Sequence, residues 1–223
     1  MPLSGYSKEL GDLLKSKGRL HKVGKGQILQ SSEHRKVFNL VVSGYVKRYL
    51  IANDGSIGVQ VLYGPGDLFP ITLAFKSLFG LEVTESPEVY YYATMTEVEI
   101  YTIDQTVLKE AVAKDPRLYK DLLSVSGVRL QSTLMGLENL TLRNAYKRVA
   151  HLLAFLARRF GKRTSAGTEI KINLTHQDLA DILSLTRETV STSIIKLRKN
   201  GLIKTKDSIW IPNLEKLQEE AYE

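Results

Sequence analysis

The stretch from Leu185 to Ile203 reads LTRETVSTSIIKLRKNGLI and sets a guanidinium beside a carboxylate, Arg187 and Glu188. Four hydroxyl residues follow closely: Thr189, Ser191, Thr192 and Ser193. This grouping is suited to hydrogen bonding rather than to nucleophilic catalysis. An arginine fork matches the O6 and N7 acceptors of guanine, while a glutamate accepts from the cytosine amino group. Short hydroxyl side chains let a helix backbone approach a duplex and add contacts to bases or phosphates. Arg187, Glu188, Ser191, Thr192 and Ile195 are therefore the candidate base-reading set, with Ile195 offering apolar surface to a thymine methyl. Thr175, Thr186, Ser193, Lys199, Lys204 and Lys206 are the candidate phosphate contacts.

Such a set needs an exposed helix on a firm base. At 100° per residue, Val190, Ile194 and Leu197 fall on one stripe, the expected buried face, and Glu188, Thr192, Ile195 and Lys199 lie roughly opposite. Thr186 is placed to cap this helix and Gly201 to stop it. Upstream, Thr175 caps HQDLADIL with Asp178 at the third position, an acidic capping box, and Ala180 leaves room for a close crossing. Ser184–Thr186 makes the turn. Helix, short turn, helix is the helix-turn-helix arrangement. Beyond it, Ile203–Thr205 and Ser208–Ile211 read as two strands of a wing, with Trp210 as a core anchor.

Charge supports a polyanionic partner at this end. Residues 1–141 hold 16 Lys/Arg against 15 Asp/Glu, whereas residues 142–223 hold 15 against 9. The net charge of +7 is thus +1 on the first stretch and +6 on the second. The absence of cysteine excludes disulfides, thiolate-held iron–sulfur clusters and cysteine nucleophiles, and fits a cytoplasmic location. No apolar run is long enough to span a membrane, and the first twenty residues lack the uninterrupted apolar stretch of a signal peptide. His21, His34, His151 and His176 are scattered without metal spacing, so no metal or cofactor is expected. Neither a nucleophile–base pair nor a phosphate-binding glycine loop appears, so no enzymatic activity is expected.

The first hundred or so residues read as β structure, with short strands and turn signals at intervals of about ten residues. Val37–Ile51 turns at Gly44, Asn53–Gly55 makes a tight hairpin, Gly64–Asp67 makes another turn, and Glu88–Ile103 holds one or two further strands. Asp104 caps a short helix, and Pro116 suits the first turn of a long one. Along the long helix Leu123, Ser126, Leu130, Thr133, Leu137 and Leu140 alternate in steps of three and four, the spacing of a helix packed on a parallel partner. A neighbouring row runs through Leu122, Val125, Arg129, Ser132 and Gly136. Homodimerisation through the first row is expected, with a monomeric core helix as the other reading. Asn139–Thr141 reads as a hinge, with Thr141 capping a helix that ends near Gly161. The fold class is α+β: a β-roll at 1–113, a dimerisation helix at 114–140 and a winged helix-turn-helix domain at 141–223.

With these residues in hand, the chain resembles the CRP/FNR family of bacterial transcription regulators, which contains the cyclic-AMP receptor protein and the fumarate-and-nitrate-reductase regulator. LVVSGYVKRYLIANDGSIGVQVLYGPGDLF resembles its β-roll, and LTHQDLADILSLTRETVSTSIIKLRKNGLI is similar to its DNA-binding helices. The resemblance implies a homodimeric, sequence-specific regulator on a near-palindromic duplex, with RNA polymerase as a further partner. It also assigns base reading to Arg187 and Glu188. Family members usually carry arginine where Thr192 stands, and the receptor protein carries lysine where Ile195 stands, so a related but different half-site is implied.

The sensing end departs from the family. Its cyclic-nucleotide binders have Gly-Glu after the Gly-Asp turn and an Arg-Ser/Thr-Ala run for the phosphate. Here Pro70 and Ile71 follow Phe69, and Glu85 and Glu88 occupy the later stretch without an arginine. Dependence on cyclic AMP is therefore not expected. Phe69, Phe75, Phe79 and Tyr90–Tyr92 either fill a roll that holds no ligand, or help hold an apolar or aromatic effector. The candidate pocket for such an effector is Phe69, Ile71, Tyr91, Ser126 and Arg129. An alternative function is a small-molecule sensor acting mainly through a protein partner.

Overall fold

The computed structural model describes residues 8–31, 37–81, 90–206 and 208–222. His34, Glu85 and Glu88 lie outside the described residues. Internal contacts group the chain into two compact units. One holds Leu3–Ile51 and Gln60–Gln131, the other Ala52–Val59 and Ser132–Glu223.

The first described element is α1 (Lys8–Lys17), which the sequence reading did not anticipate. Eight strands follow: β1 (Arg19–Val23), β2 (Ile28–Ser31), β3 (Val37–Ser43), β4 (Val46–Ile51), β5 (Ile57–Tyr63), β6 (Leu68–Phe69), β7 (Tyr91–Thr94) and β8 (Val98–Asp104). They form two four-stranded sheets ordered β1-β8-β3-β6 and β2-β7-β4-β5. Gly44 turns between β3 and β4 at φ 79°, where a Cβ would stand 2.1 Å from the Glu97 carbonyl oxygen. Only glycine suits both the conformation and the space. Asp67 closes the next turn by accepting from the Gly64 amide at 2.7 Å.

An unanticipated helix, α2 (Ile71–Phe79), starts directly after Pro70 and ends at Gly80 in the left-handed region. Asp104 caps α3 (Gln105–Lys114) as expected, its carboxylate accepting from the Thr106 amide. Then comes α4 (Arg117–Thr141), long enough to carry the heptad row. Leu118, Leu122 and Val125 of α4 pack with Leu10, Leu14, Phe38 and Leu108 in one apolar core.

In the C-terminal unit α5 (Ala145–Phe160) is capped by Asn144, which accepts from the Lys147 amide. This corrects the expectation for Thr141, which remains in α4 and donates its hydroxyl to the Glu138 carbonyl. The hairpin β9 (Gly161–Thr164) and β10 (Gly167–Ile170) follows α5. Next are α6 (His176–Leu183), α7 (Arg187–Lys199), β11 (Lys204–Thr205), β12 (Ile209–Ile211) and an unanticipated α8 (Leu214–Tyr222). The strands order as β11-β12-β10-β9, so the wing is the edge of a four-stranded sheet rather than a free hairpin.

Val190, Ile194 and Leu197 are buried, as the periodicity requires, alongside Val149, Leu153, Leu179, Ala180 and Leu183. Leu197 is fully enclosed. Leu197→Ala is expected to cost about 2–5 kcal/mol of unfolding free energy, read from urea denaturation. A loss below about 1 kcal/mol would contradict this packing.

Candidate nucleic-acid interface

The candidate interface depends first on how α6 and α7 are started. Thr175 and Asp178 form a reciprocal capping box: the threonine hydroxyl accepts from the Asp178 amide, and the aspartate accepts from the Thr175 amide at 3.0 Å. Thr186 caps α7 by accepting from the Thr189 amide at 3.2 Å. Between the helices Ser184 takes the left-handed conformation at φ 49°. The turn is fastened from below, since Nη2 of Arg148 donates to the Leu183 carbonyl.

Arg187, Glu188, Thr192 and Ile195 are exposed along α7, with Ile195 at 55%. Ser191 is half-buried. The five expected base-reading residues thus share one helix and are not buried. Lys199, Lys204, Lys206, Thr175 and Thr186 are exposed as well. Ser193 is different. It is 5% exposed and its hydroxyl donates to the Thr189 carbonyl at 2.9 Å, so the expectation that it touches phosphate is withdrawn. Position 193 is only three residues before Lys196, but it lies on the core side with Val190, Ile194 and Leu197.

Ser191, Thr192 and Ser193 each donate to the carbonyl four residues back, at 2.8, 3.0 and 2.9 Å. In this arrangement their protons go to the helix backbone. Within the expected base-reading set, Arg187 is then the side chain that brings donors to the surface, and Glu188 brings acceptors.

Several positioning residues escaped the sequence reading. Asn139, in the last turn of α4, donates to the Arg148 carbonyl at 2.8 Å, and Arg148 Nε donates back to its Oδ1 at 3.3 Å. Tyr146 joins three helices: its hydroxyl donates to Glu220 at 2.7 Å, accepts from Asn200 at 3.1 Å, and its ring carries the Lys196 ammonium at 4.4 Å. Burial, then the Glu220 contact, push that hydroxyl up to about 12. No short-range spacing announces these pairs, because their partners lie on other helices.

In the N-terminal unit the residues of the expected effector pocket do not all come together. Phe69 stacks on Tyr92, with centroids 4.9 Å apart, and meets Tyr63 at 4.8 Å. The Arg129 guanidinium covers Tyr63 at 4.3 Å and lies 3.9 Å from Asp67. Phe69 and Arg129 thus belong to one assembly. Tyr91 does not, since it stacks on Tyr49 at 5.5 Å; its neighbour Tyr92 takes the interior place, as alternation along β7 demands. Ile71 packs against the other core, and Ser126 donates to the Leu122 carbonyl. Arg48 was overlooked: it pairs in register with Tyr92 and its guanidinium lies 4.3 Å over Tyr90. The roll thus has a guanidinium from β4, outside the later stretch that lacks arginine.

The row expected to meet a twin is largely open. Leu123, Leu130, Leu137 and Leu140 are 73%, 62%, 55% and 66% exposed, Thr133 is exposed and Ser126 is half-buried. Among the described residues no cluster of three or more His, Asp or Glu could hold a metal ion, and no helix is long and apolar enough to cross a membrane.

Residues 147–220 match the Crp-like helix-turn-helix domain family. The chain is 28% identical over 183 residues to a CRP-like cAMP-activated global transcriptional regulator of Mycobacterium tuberculosis, covering 82% of this chain and 78% of the relative. It is 24% identical over 223 residues to a fumarate and nitrate reduction regulatory protein of Yersinia pestis, covering 99% and 86%. A CooA variant from Carboxydothermus hydrogenoformans shares the fold, with a TM-score of 0.73, 24% identity, and coverage of 96% of this chain and 92% of that one.

His151 carries a pH signature into this unit. It is 3% exposed, its Nδ1 faces the Asn139 amide nitrogen at 3.2 Å, and its buried Nε2 lies 3.8 Å from the Glu138 carboxylate, beyond hydrogen-bond reach. Burial holds the imidazole below its usual range; Glu138 pulls it up and Arg158 pushes it further down. The neutral ring therefore stabilises the fold above the ordinary value of 6.5, and that contribution is lost as pH falls from there through the lowered folded value. Between about pH 7.5 and 5.5 the urea midpoint of the wild type is expected to fall more steeply than that of His151→Gln. Equal slopes would contradict this.

Proposed function

We propose a function from one premise: the chain belongs to the CRP/FNR family of transcription regulators and carries its helix-turn-helix. On that premise it acts as a homodimer that binds a near-palindromic duplex sequence-specifically. The observation that carries this reading is the exposed Arg187–Glu188 tip on a helix whose opposite face is sealed in the core. In a dimer, two such helices would enter successive major grooves roughly 34 Å apart. Arg187 would take a guanine, Glu188 a cytosine, and Ser191, Thr192 and Ile195 the adjoining pairs. Lys199, Lys204 and Lys206, with Thr175 and Thr186, would hold the phosphates. The open leucine row of α4 supports pairing with a second copy, because contiguous apolar side chains along a helix gain from mutual burial.

The proposed division of labour is a β-roll over residues 1–113, dimerisation over 114–140 and DNA binding over 141–223. The mutual packing of Tyr63, Phe69 and Tyr92 favours regulation without cyclic AMP, and either without an effector or with a different small molecule. RNA polymerase is the proposed protein partner, and the cytoplasm the proposed location.

The test is selection of duplexes from a random pool with purified protein and nothing added. Enrichment of a near-palindrome supports specific, effector-independent binding; a pool without enrichment contradicts it. Arg187→Ala is expected to lose roughly 1–3 kcal/mol of discrimination at one base pair per half-site. Lys204→Ala is expected instead to weaken binding to all sequences and to flatten the salt dependence by about one unit of slope. Exchange of these two phenotypes would overturn the assignment of roles.

A further inference from the structure

We propose that His176 is a positioning residue for base reading: it holds the Ser191 hydroxyl as an acceptor only, so that Ser191 takes an amino group of adenine or cytosine. This rests on the major-groove reading above and refines it. His176 is the first residue of α6, half-buried, with Nδ1 2.8 Å from the Ser191 Oγ on α7. The same Oγ lies 2.8 Å from the Arg187 carbonyl oxygen. A carbonyl only accepts and a serine has a single proton, so that proton goes to Arg187. Both contacts are satisfied together when His176 Nδ1 donates.

The hydroxyl is then fully allotted on one side. One lone pair receives the imidazole N–H, one remains, and no proton is left for a base. In the major groove adenine N6 and cytosine N4 donate, whereas guanine O6 and thymine O4 accept. An acceptor-only Ser191 favours the first pair and repels the second. Thr192 and Ser193 also donate to the backbone, but Ser191 is the one of the three that is further pinned by a ring on the neighbouring helix. Without that ring its hydroxyl is free to leave the Arg187 carbonyl and donate to O6 or O4.

The experiment is duplex selection with the wild type, His176→Leu, His176→Asn, Ser191→Ala and the double variant His176→Leu/Ser191→Ala. The wild type is expected to enrich adenine or cytosine at the Ser191 position. His176→Leu should relax that position alone, by roughly three- to tenfold, the size of one net hydrogen bond. His176→Asn, whose amide N–H can replace the Nδ1 donor, should restore the preference. Ser191→Ala should lose it, and adding His176→Leu should then change nothing. The proposal is overturned if His176→Leu matches the wild type, if its loss spreads over the whole site without rescue by asparagine, if it persists on the Ser191→Ala background, or if the wild type selects guanine or thymine there. A wild-type pool with no enrichment overturns effector-independent specific binding, and this inference with it, whereas the outcomes above overturn this inference alone.

Discussion

Val190, Ile194 and Leu197 sink one face of α7 into the core of the C-terminal unit, and the properties of the candidate interface depend on that burial. Each such side chain contributes on the order of 1.5–3 kcal/mol when removed from water. The stripe fixes the rotation of the helix about its axis. Because 3.6 residues make a turn, fixing 190, 194 and 197 inward also fixes Glu188, Thr192 and Ile195 outward. Ser193 pays no penalty for sitting on the buried side, since its hydroxyl is satisfied by the Thr189 carbonyl.

A second layer of constraint is polar and sits around the motif rather than in it. Arg148 reaches the Leu183 carbonyl at the turn and exchanges hydrogen bonds with Asn139 of α4. Charge-assisted bonds of this kind are stronger and more directional than neutral ones. The turn between α6 and α7 is therefore tied to the last turn of α4 through one guanidinium. Tyr146 does the same for α7 and α8, through Asn200 and Glu220. A helix held from several sides would lose little conformational freedom in the proposed complex, which favours affinity.

Legibility in the sequence follows the range of the interaction. Caps at Thr175, Thr186 and Asp104 act within three residues and were readable, as was the glycine turn at Gly44. The stripe on α7 was readable because helical periodicity is local. The start of α5 was misplaced, because Thr141 and Asn144 both make acceptable caps and only packing decides that α4 continues to Thr141. Helices α1, α2 and α8 are short and lie outside that reading, although α8 has a local start signal in Asn213, whose Oδ1 accepts from the Lys216 amide at 3.0 Å. In β7 the candidate pocket takes Tyr91, but alternation leaves open which face is interior, and packing puts Tyr92 beside Phe69. Arg48, Asn139, Arg148 and Tyr146 find partners on other elements, and spacing along the chain carries no trace of that.

Methylation interference on a selected duplex tests the central claim most directly, because it asks which groove the Arg187–Glu188 tip enters. Guanine N7 lies in the major groove and adenine N3 in the minor groove. Binding is expected to be blocked by methylation of a guanine N7 in each half-site and to tolerate methylation at the central adenine N3 positions. Binding that is insensitive to N7 methylation throughout the site would contradict the account.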